Sequence, residues 1–459
     1  MASPAAGPPV HPLLARLRRV HEELSGLDGG RVNDSAPAMA DADPDGFGIA
    51  VVTADGHLHA VGDSEREFTV QSAIKPFVYA LALADAGEEA VMAAVGVEPT
   101  GEAFDALVLE AQTGRPPNAM VNAGAILTCC LVDGETAHQR KQRIRTGLSG
   151  FAGRRLDDDE TVSEAEKGAG ARNRALAWLM TDHGTLPYEV EDALDVYLFA
   201  CSLLVSARDL AVMGATLAAG GHNPLTGEQV VPAALVPTVL SVMGTCGMYD
   251  GAGSWFVKVG LPAKSGVAGG VVAVQPGQLG IGTWSPALDE DGNSVRGIAA
   301  CARLSVELGL HEFRPSGPGL PPTGRADGRD TRSATVREPG QEDVLRAHED
   351  RLHLLRVQGP LTLRSVDVVV REMFEAVAGW EGRHWLTLDL RAVGWVHGPA
   401  VDLLAEAVDA VTAGGVDLVI VDRDRSQRAD WEGAIPDSTV SDLQEALAAA
   451  EDGLLAALG

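Results

Sequence analysis

An α+β domain followed by a smaller β/α domain is the fold class this sequence predicts, and three observations predict it. Antiparallel strand patterns stand near the start and again before residue 290. A mostly helical stretch lies between them, which is the order expected of a sheet packed on a helical lobe. Beyond residue 348 strand and helix patterns alternate, as in a small separate β/α domain of roughly a hundred residues.

In chain order, residues 1–10 read as a tail, and residues 13–27 carry apolar side chains at helical spacing before a run of glycines. Residues 46–53 read as a strand, Ala54-Asp55-Gly56 as a hairpin turn and residues 57–63 as the return strand. From residue 76 to about 240 the pattern is helical, broken by loops such as 114–118. Strands resume at 266–276 and 279–285, a turn follows through 289–293, and a helix around 297–310 closes a domain spanning 11–312. Proline, glycine and arginine with few large apolar residues make 313–348 a linker. In 349–459, strands 352–357, 385–390 and 416–421 alternate with helices 366–377, 400–413 and one from about 439.

Composition bounds the chemistry. The 459 residues hold 36 basic and 64 acidic side chains, a net charge of −28 that argues against nucleic acid or an anionic membrane as partner. Cys129, Cys130, Cys201, Cys246 and Cys301 form no Cys-x-x-Cys pair and no ligand spacing with histidine, so reduced core thiols are expected, with no metal and no cofactor. Leu13-Leu14-Ala15 is followed at once by Arg16, and no run of about eighteen apolar residues occurs, so a cytoplasmic chain without a membrane span is expected.

Within 68–77, Ser72 precedes Lys75 by three residues, a spacing that puts both side chains on one face of a helix. A lysine can take a serine proton only where its surroundings lower its pKa from about 10.4. Residues 77–83 read as a buried helix that supplies a dry wall. Lys264-Ser265-Gly266 reads as an edge strand, and Ser-x-x-Lys with Lys-Thr-Gly marks serine acyl-transfer enzymes of the penicillin-binding class. Asn122 interrupts an apolar run and is either a local cap or a substrate contact. Ser163 and Glu166 fit a capping box, while the functional reading makes Glu166 and Asn173 two polar teeth of a pocket. Tyr197 reads as a core tyrosine; Tyr249, in a Gly-rich loop before the Lys-Ser-Gly strand, is the better candidate for chemistry.

Taken together, Gln71-Ser72-x-x-Lys75-Pro76, the Asn118 to Ile126 run, Glu166 with Arg172-Asn173-Arg174, Tyr197 with Cys201-Ser202, Met248-Tyr249-Asp250 and Pro262-Ala263-Lys264-Ser265-Gly266-Val267 resemble the serine-dependent glutaminases of the β-lactamase-like fold. The resemblance implies hydrolysis of L-glutamine through a γ-glutamyl ester on Ser72, with Lys75 taking the serine proton and Tyr249 acting beside it. It further implies an oxyanion held by the N–H groups of Ser72 and Val267, and an amino-acid head gripped by Asn122, Glu166, Asn173 and Tyr197. Lys264 and Gln71 support the site, and a homodimer or homotetramer is implied. Ser35 stands where that family usually has a tyrosine closing over the substrate, which implies weakened activity. The C-terminal domain resembles STAS domains. Regulatory members present a phosphorylatable serine at the start of their second helix, whereas here the turn Trp395-Val396-His397-Gly398-Pro399-Ala400-Val401 has no hydroxyl, leaving a docking or ligand role. Two rival readings remain: a penicillin-recognising enzyme using the same Ser72, Lys75 and Lys264, and a non-catalytic amino-acid sensor reporting through the STAS domain.

Overall fold

The computed structural model describes residues 11–101, 106–314, 323–378, 380, 382–394, 396, 398–422 and 440–458. The expected tail at 1–10, positions 395 and 397 of the STAS-like turn and the expected helix start at 439 lie outside the described residues. The chain divides into two compact units, Met1–Arg314 and Pro315–Gly459.

The first unit is built on a five-stranded antiparallel sheet. Its strands are β1 (Gly48–Thr53), β2 (Leu58–Gly62), β3 (Ala263–Ser265), β4 (Gly270–Gln275) and β5 (Leu279–Trp284), in the order β2-β1-β5-β4-β3. The 46–63 hairpin and the edge position of the Lys264 strand therefore match the sequence reading. Alternation along β1 sorts the faces: Ile49 and Val51 pack against the Pro12–Ser25 and Val295–Leu308 helices, while Ala50 and Val52 meet the Ala207–Ala218 helix. That last helix lies almost on the sheet backbone. A Cβ on Gly282 would stand 2.0 Å from the Ala207 carbonyl oxygen, so no larger residue fits the central strand there.

Beyond that helix lies the helical lobe, whose core includes Phe77, Leu81, Met120, Ile126, Phe151, Leu194 and Met243. One short strand pair stitches the lobe to the nucleophile segment. Phe68–Thr69 pairs antiparallel with Leu204–Val205, and the Val70 N–H continues the ladder to the Leu203 carbonyl at 2.8 Å. No sequence pattern announces a two-residue pair.

The second unit is a four-stranded sheet of β6 (Thr323–Asp327), β7 (Leu352–Gln358), β8 (Trp385–Ala392) and β9 (Asp417–Val421) in sequential order. β6 is antiparallel to β7, and β7, β8 and β9 run parallel. Helices Leu363–Val377 and Gly398–Ala413 cover one face; Pro339–Ala347 and Leu443–Leu458 cover the other.

The alternation expected here is present, but the span read as a linker is not featureless. Residues 323–327 form β6 and residues 339–347 form a helix. The physical reason is that apolar burial does little of the holding. The β6 side chains are half-buried or exposed and its pairing is by backbone. The segment after it is pinned by the buried Glu451 carboxylate, which accepts from Ser333 N–H at 2.8 Å, Ser333 Oγ at 2.6 Å and the guanidinium groups of Arg332 and Arg337.

Candidate active site

Ser72 sits in a 3₁₀ turn, Gln71–Ile74, that runs directly into the Lys75–Ala86 helix. The expectation of one continuous helix needs this adjustment; across the junction the Lys75 N–H donates to the Ser72 carbonyl. The turn opens on Gln71 at φ 51, a left-handed backbone for a residue with a side chain. Helix Lys75–Ala86 is buried from Lys75 to Leu83, as the apolar run predicts.

Lys75 is 1% exposed, and partners for its amine come from two further elements. Its Nζ donates to Asn122 Oδ1 at 2.6 Å and lies 3.5 Å from the Tyr249 hydroxyl. Asn122, in the first turn of the Asn122–Leu131 helix, also accepts from the Tyr197 hydroxyl at 3.4 Å and donates through Nδ2 to Asn173 Oδ1 at 2.9 Å. Both ends of its amide therefore face other site residues.

Tyr249 stands between two lysines. Its hydroxyl faces Lys75, while Lys264 Nζ lies 3.8 Å from the centre of its ring. Lys264 is fully buried and donates to the Ser265 carbonyl at 2.7 Å. Burial, with the Lys75 charge added, holds its amine well below the usual lysine range. Tyr249 itself is at φ 54, so both non-glycine residues with positive φ among the described residues belong to this cluster.

Glu166 lies on the Glu160–Ala169 helix and accepts from Gln71 Nε2 at 2.9 Å. The capping-box reading of Ser163 and Glu166 is overturned, because Asp159 caps this helix by accepting from the N–H groups of Thr161 and Val162. That leaves Glu166 free to face the site. Burial pushes its carboxyl above the usual range, against the opposing pull of the Gln71 hydrogen bond.

β3 closes the arrangement. Gly266 follows it so tightly that a Cβ there would stand 2.7 Å from the Val70 carbonyl oxygen and 3.2 Å from Ala73 N. The strand end thus abuts the Ser72 turn, with Val267 next in line. Among the described residues, the N–H groups of Ser72 and Val267 have no backbone partner. A cavity of roughly 960 Å³ opens beside Val267 and Asp250, with Asn33 on its wall.

One participant escaped the sequence reading. Asn33 reaches across 234 positions to the Val267 carbonyl, donating through Nδ2 at 3.2 Å; its only signal was an Asn two residues before an N–H it could cap. Cys201 is a buried free thiol, in keeping with its reading as a core cysteine, and burial pushes it up to about 12. Among the described residues no group of His, Cys, Asp and Glu could hold a metal ion. Nor is any described helix long and apolar enough to cross a membrane.

The glutaminase family model matches residues 30–313. The chain belongs to the glutaminase family. It is 54% identical over 313 residues to a glutaminase of Clavibacter michiganensis, a match covering 68% of this chain and 95% of that one. A glutaminase 2 of Bradyrhizobium diazoefficiens is 43% identical over 424 residues, covering 91% of this chain and 67% of its own. The crystal structure of Mglu in its glutamate form superposes with a TM-score of 0.80 at 37% identity, covering 90% of this chain and 98% of that one. The mixed α+β architecture is thus that of a glutaminase.

Proposed function

We propose that this glutaminase hydrolyses L-glutamine to L-glutamate and ammonia through a γ-glutamyl ester on Ser72. The observation that carries the proposal is the buried Lys75 amine, one turn from Ser72 and within 3.5 Å of the Tyr249 hydroxyl. Ser72 Oγ attacks the side-chain amide carbon and its proton passes to Lys75 Nζ. The amide oxygen becomes an oxyanion facing the N–H groups of Ser72 and Val267; one such donor is worth about 3 kcal/mol of barrier. The tetrahedral carbon then expels nitrogen, which leaves as ammonia after taking a proton from the Lys75–Tyr249 pair. Water then attacks the ester carbon and gives one of its own protons to the pair, which passes it to the departing Ser72 Oγ, freeing glutamate and restoring the hydroxyl.

Recognition of the amino-acid head follows from charge. Glu166 suits an α-ammonium, while Asn122, Asn173 and Tyr197 offer donors to an α-carboxylate. The glutamate form of Mglu supports a site shaped for that head. Ser35 is exposed at the mouth, where a tyrosine would have covered the substrate, and this supports a weakened rather than an absent activity. The convergence of two buried lysines on one tyrosine of positive φ favours catalysis over a sensor that only binds. For the second unit, three parallel strands with helices on both faces support a STAS-like docking or ligand-binding role. A β-lactamase-like architecture for the first unit and a homodimer or homotetramer in the cytoplasm complete the proposal.

Ammonia release from L-glutamine by the parent and a Ser72→Ala chain tests it. The substitution is expected to lower kcat by about a thousandfold or more, with L-glutamate binding retained; a Ser72→Ala chain that still turns over would reject the assignment.

A further inference from the structure

We infer that Asn33 is a positioning residue for the oxyanion site, holding the Val267 loop in register with Ser72; the inference rests on the role proposed above for the Val267 N–H. The side-chain amide of Asn33 is engaged at both ends. Its Oδ1 accepts from the Ser35 N–H at 3.0 Å, which fixes the amide plane within its own turn. Its Nδ2 donates to the Val267 carbonyl at 3.2 Å and lies 3.9 Å from Met39 Sδ. Asn33 is therefore a short brace between the turn at the site mouth and the loop after β3.

That loop needs a brace. One side is fixed from within: Gly266 N–H donates to the Gly270 carbonyl at 2.9 Å, and Gly269 N–H donates to the Gly266 carbonyl at 2.9 Å. The second of these holds the Gly266–Val267 peptide, which carries the Val267 N–H, and leaves the next peptide, Val267–Ala268, without a bond of this kind. The Asn33 bond is made to Val267 itself. With its carbonyl tied to Asn33, the Val267–Ala268 plane is fixed too, and the adjoining peptide that carries the Val267 N–H keeps its register beside the Ser72 turn that Gly266 abuts. An oxyanion donor stabilises charge best when it needs no reorientation as the charge forms, so loosening the brace acts on the transition state rather than on the bound substrate.

The test compares the parent with Asn33→Ala, Asn33→Asp and Ser72→Ala in the full chain. Asn33→Asp is nearly isosteric and keeps the bond from Ser35, but sets a carboxylate oxygen against the Val267 carbonyl. The expected result is a kcat about tenfold lower for Asn33→Ala and lower still for Asn33→Asp, with KM within about twofold and the melting temperature little changed. Asn33 variants that keep the parent kcat, or that raise KM with kcat intact, overturn the inference while Ser72→Ala remains inactive. If Ser72→Ala retains turnover, the site reading fails and this inference fails with it. Should Asn33→Ala fold poorly, Asn33→Asp carries the same comparison.

Discussion

Gln71 holds Glu166 in place, and the carboxylate it holds does not belong in so buried a position unless something charged arrives. Burial favours the neutral acid, so the Glu166 carboxyl titrates above the 4.5 of an exposed glutamate. An α-ammonium favours the carboxylate. Binding of glutamine therefore draws the proton off, and acid opposes it. We expect KM for glutamine to rise as pH falls through the raised Glu166 value, while a Glu166→Gln chain shows a high KM with no such dependence; a parent KM that responds to acid no more than that of Glu166→Gln would contradict this. Much of the site was legible at this scale. Ser72, Lys75 and Lys264 announce themselves by spacing, and Tyr249 by its glycine-rich setting. Positive φ at Gln71 and Tyr249 was not legible, because no local pattern marks it; surrounding packing imposes it. Asn33 was missed because its partner lies 234 positions away.

At the scale of elements, the site depends on how closely β3 can approach the 3₁₀ turn. Gly266 sets that distance, and the two nearest atoms opposite it, the Val70 carbonyl oxygen and the Ala73 nitrogen, are backbone. Gly266→Ala is expected to cost about 1–3 kcal/mol of stability through the forced shift of strand or turn, and to depress kcat more than that loss explains. Thermal melting with ammonia release checks both; a variant with parent stability and kcat would show that the approach is not needed. Strand and helix periodicity identified the hairpin, the helical lobe and the alternating second unit because each buries a periodic apolar face. The two-residue pairing of Phe68–Thr69 with Leu204–Val205 has no period to detect. β6 went unread for a related reason: it is held by backbone pairing, and the segment after it by Glu451.

The whole molecule carries its proposed chemistry in the first unit and a different sensitivity in the second. His353 stacks on Trp380 with ring centres 3.9 Å apart and shares a hydrogen bond with His384 at 3.1 Å. Burial, then the His384 charge, lowers its pKa from 6.5 to about 4, while Asp327 and Asp350 pull the other way. The unfolded chain therefore takes up the proton first. Stability from the neutral ring is complete above pH 6.5 and is lost as pH falls toward 4. Between those values the melting temperature of the parent is expected to fall more steeply than that of a His353→Phe chain; parallel slopes would contradict the burial of a neutral imidazole.

The most direct measurement is the mass of the Ser72 peptide after rapid acid quench of the enzyme turning over L-glutamine, in the parent and in a Tyr249→Phe chain whose ester hydrolysis is slowed. A γ-glutamyl group on Ser72 that accumulates in the Tyr249→Phe chain is the expected result. Ammonia release with that peptide unmodified in both chains, or with the acyl group on another residue, would contradict it.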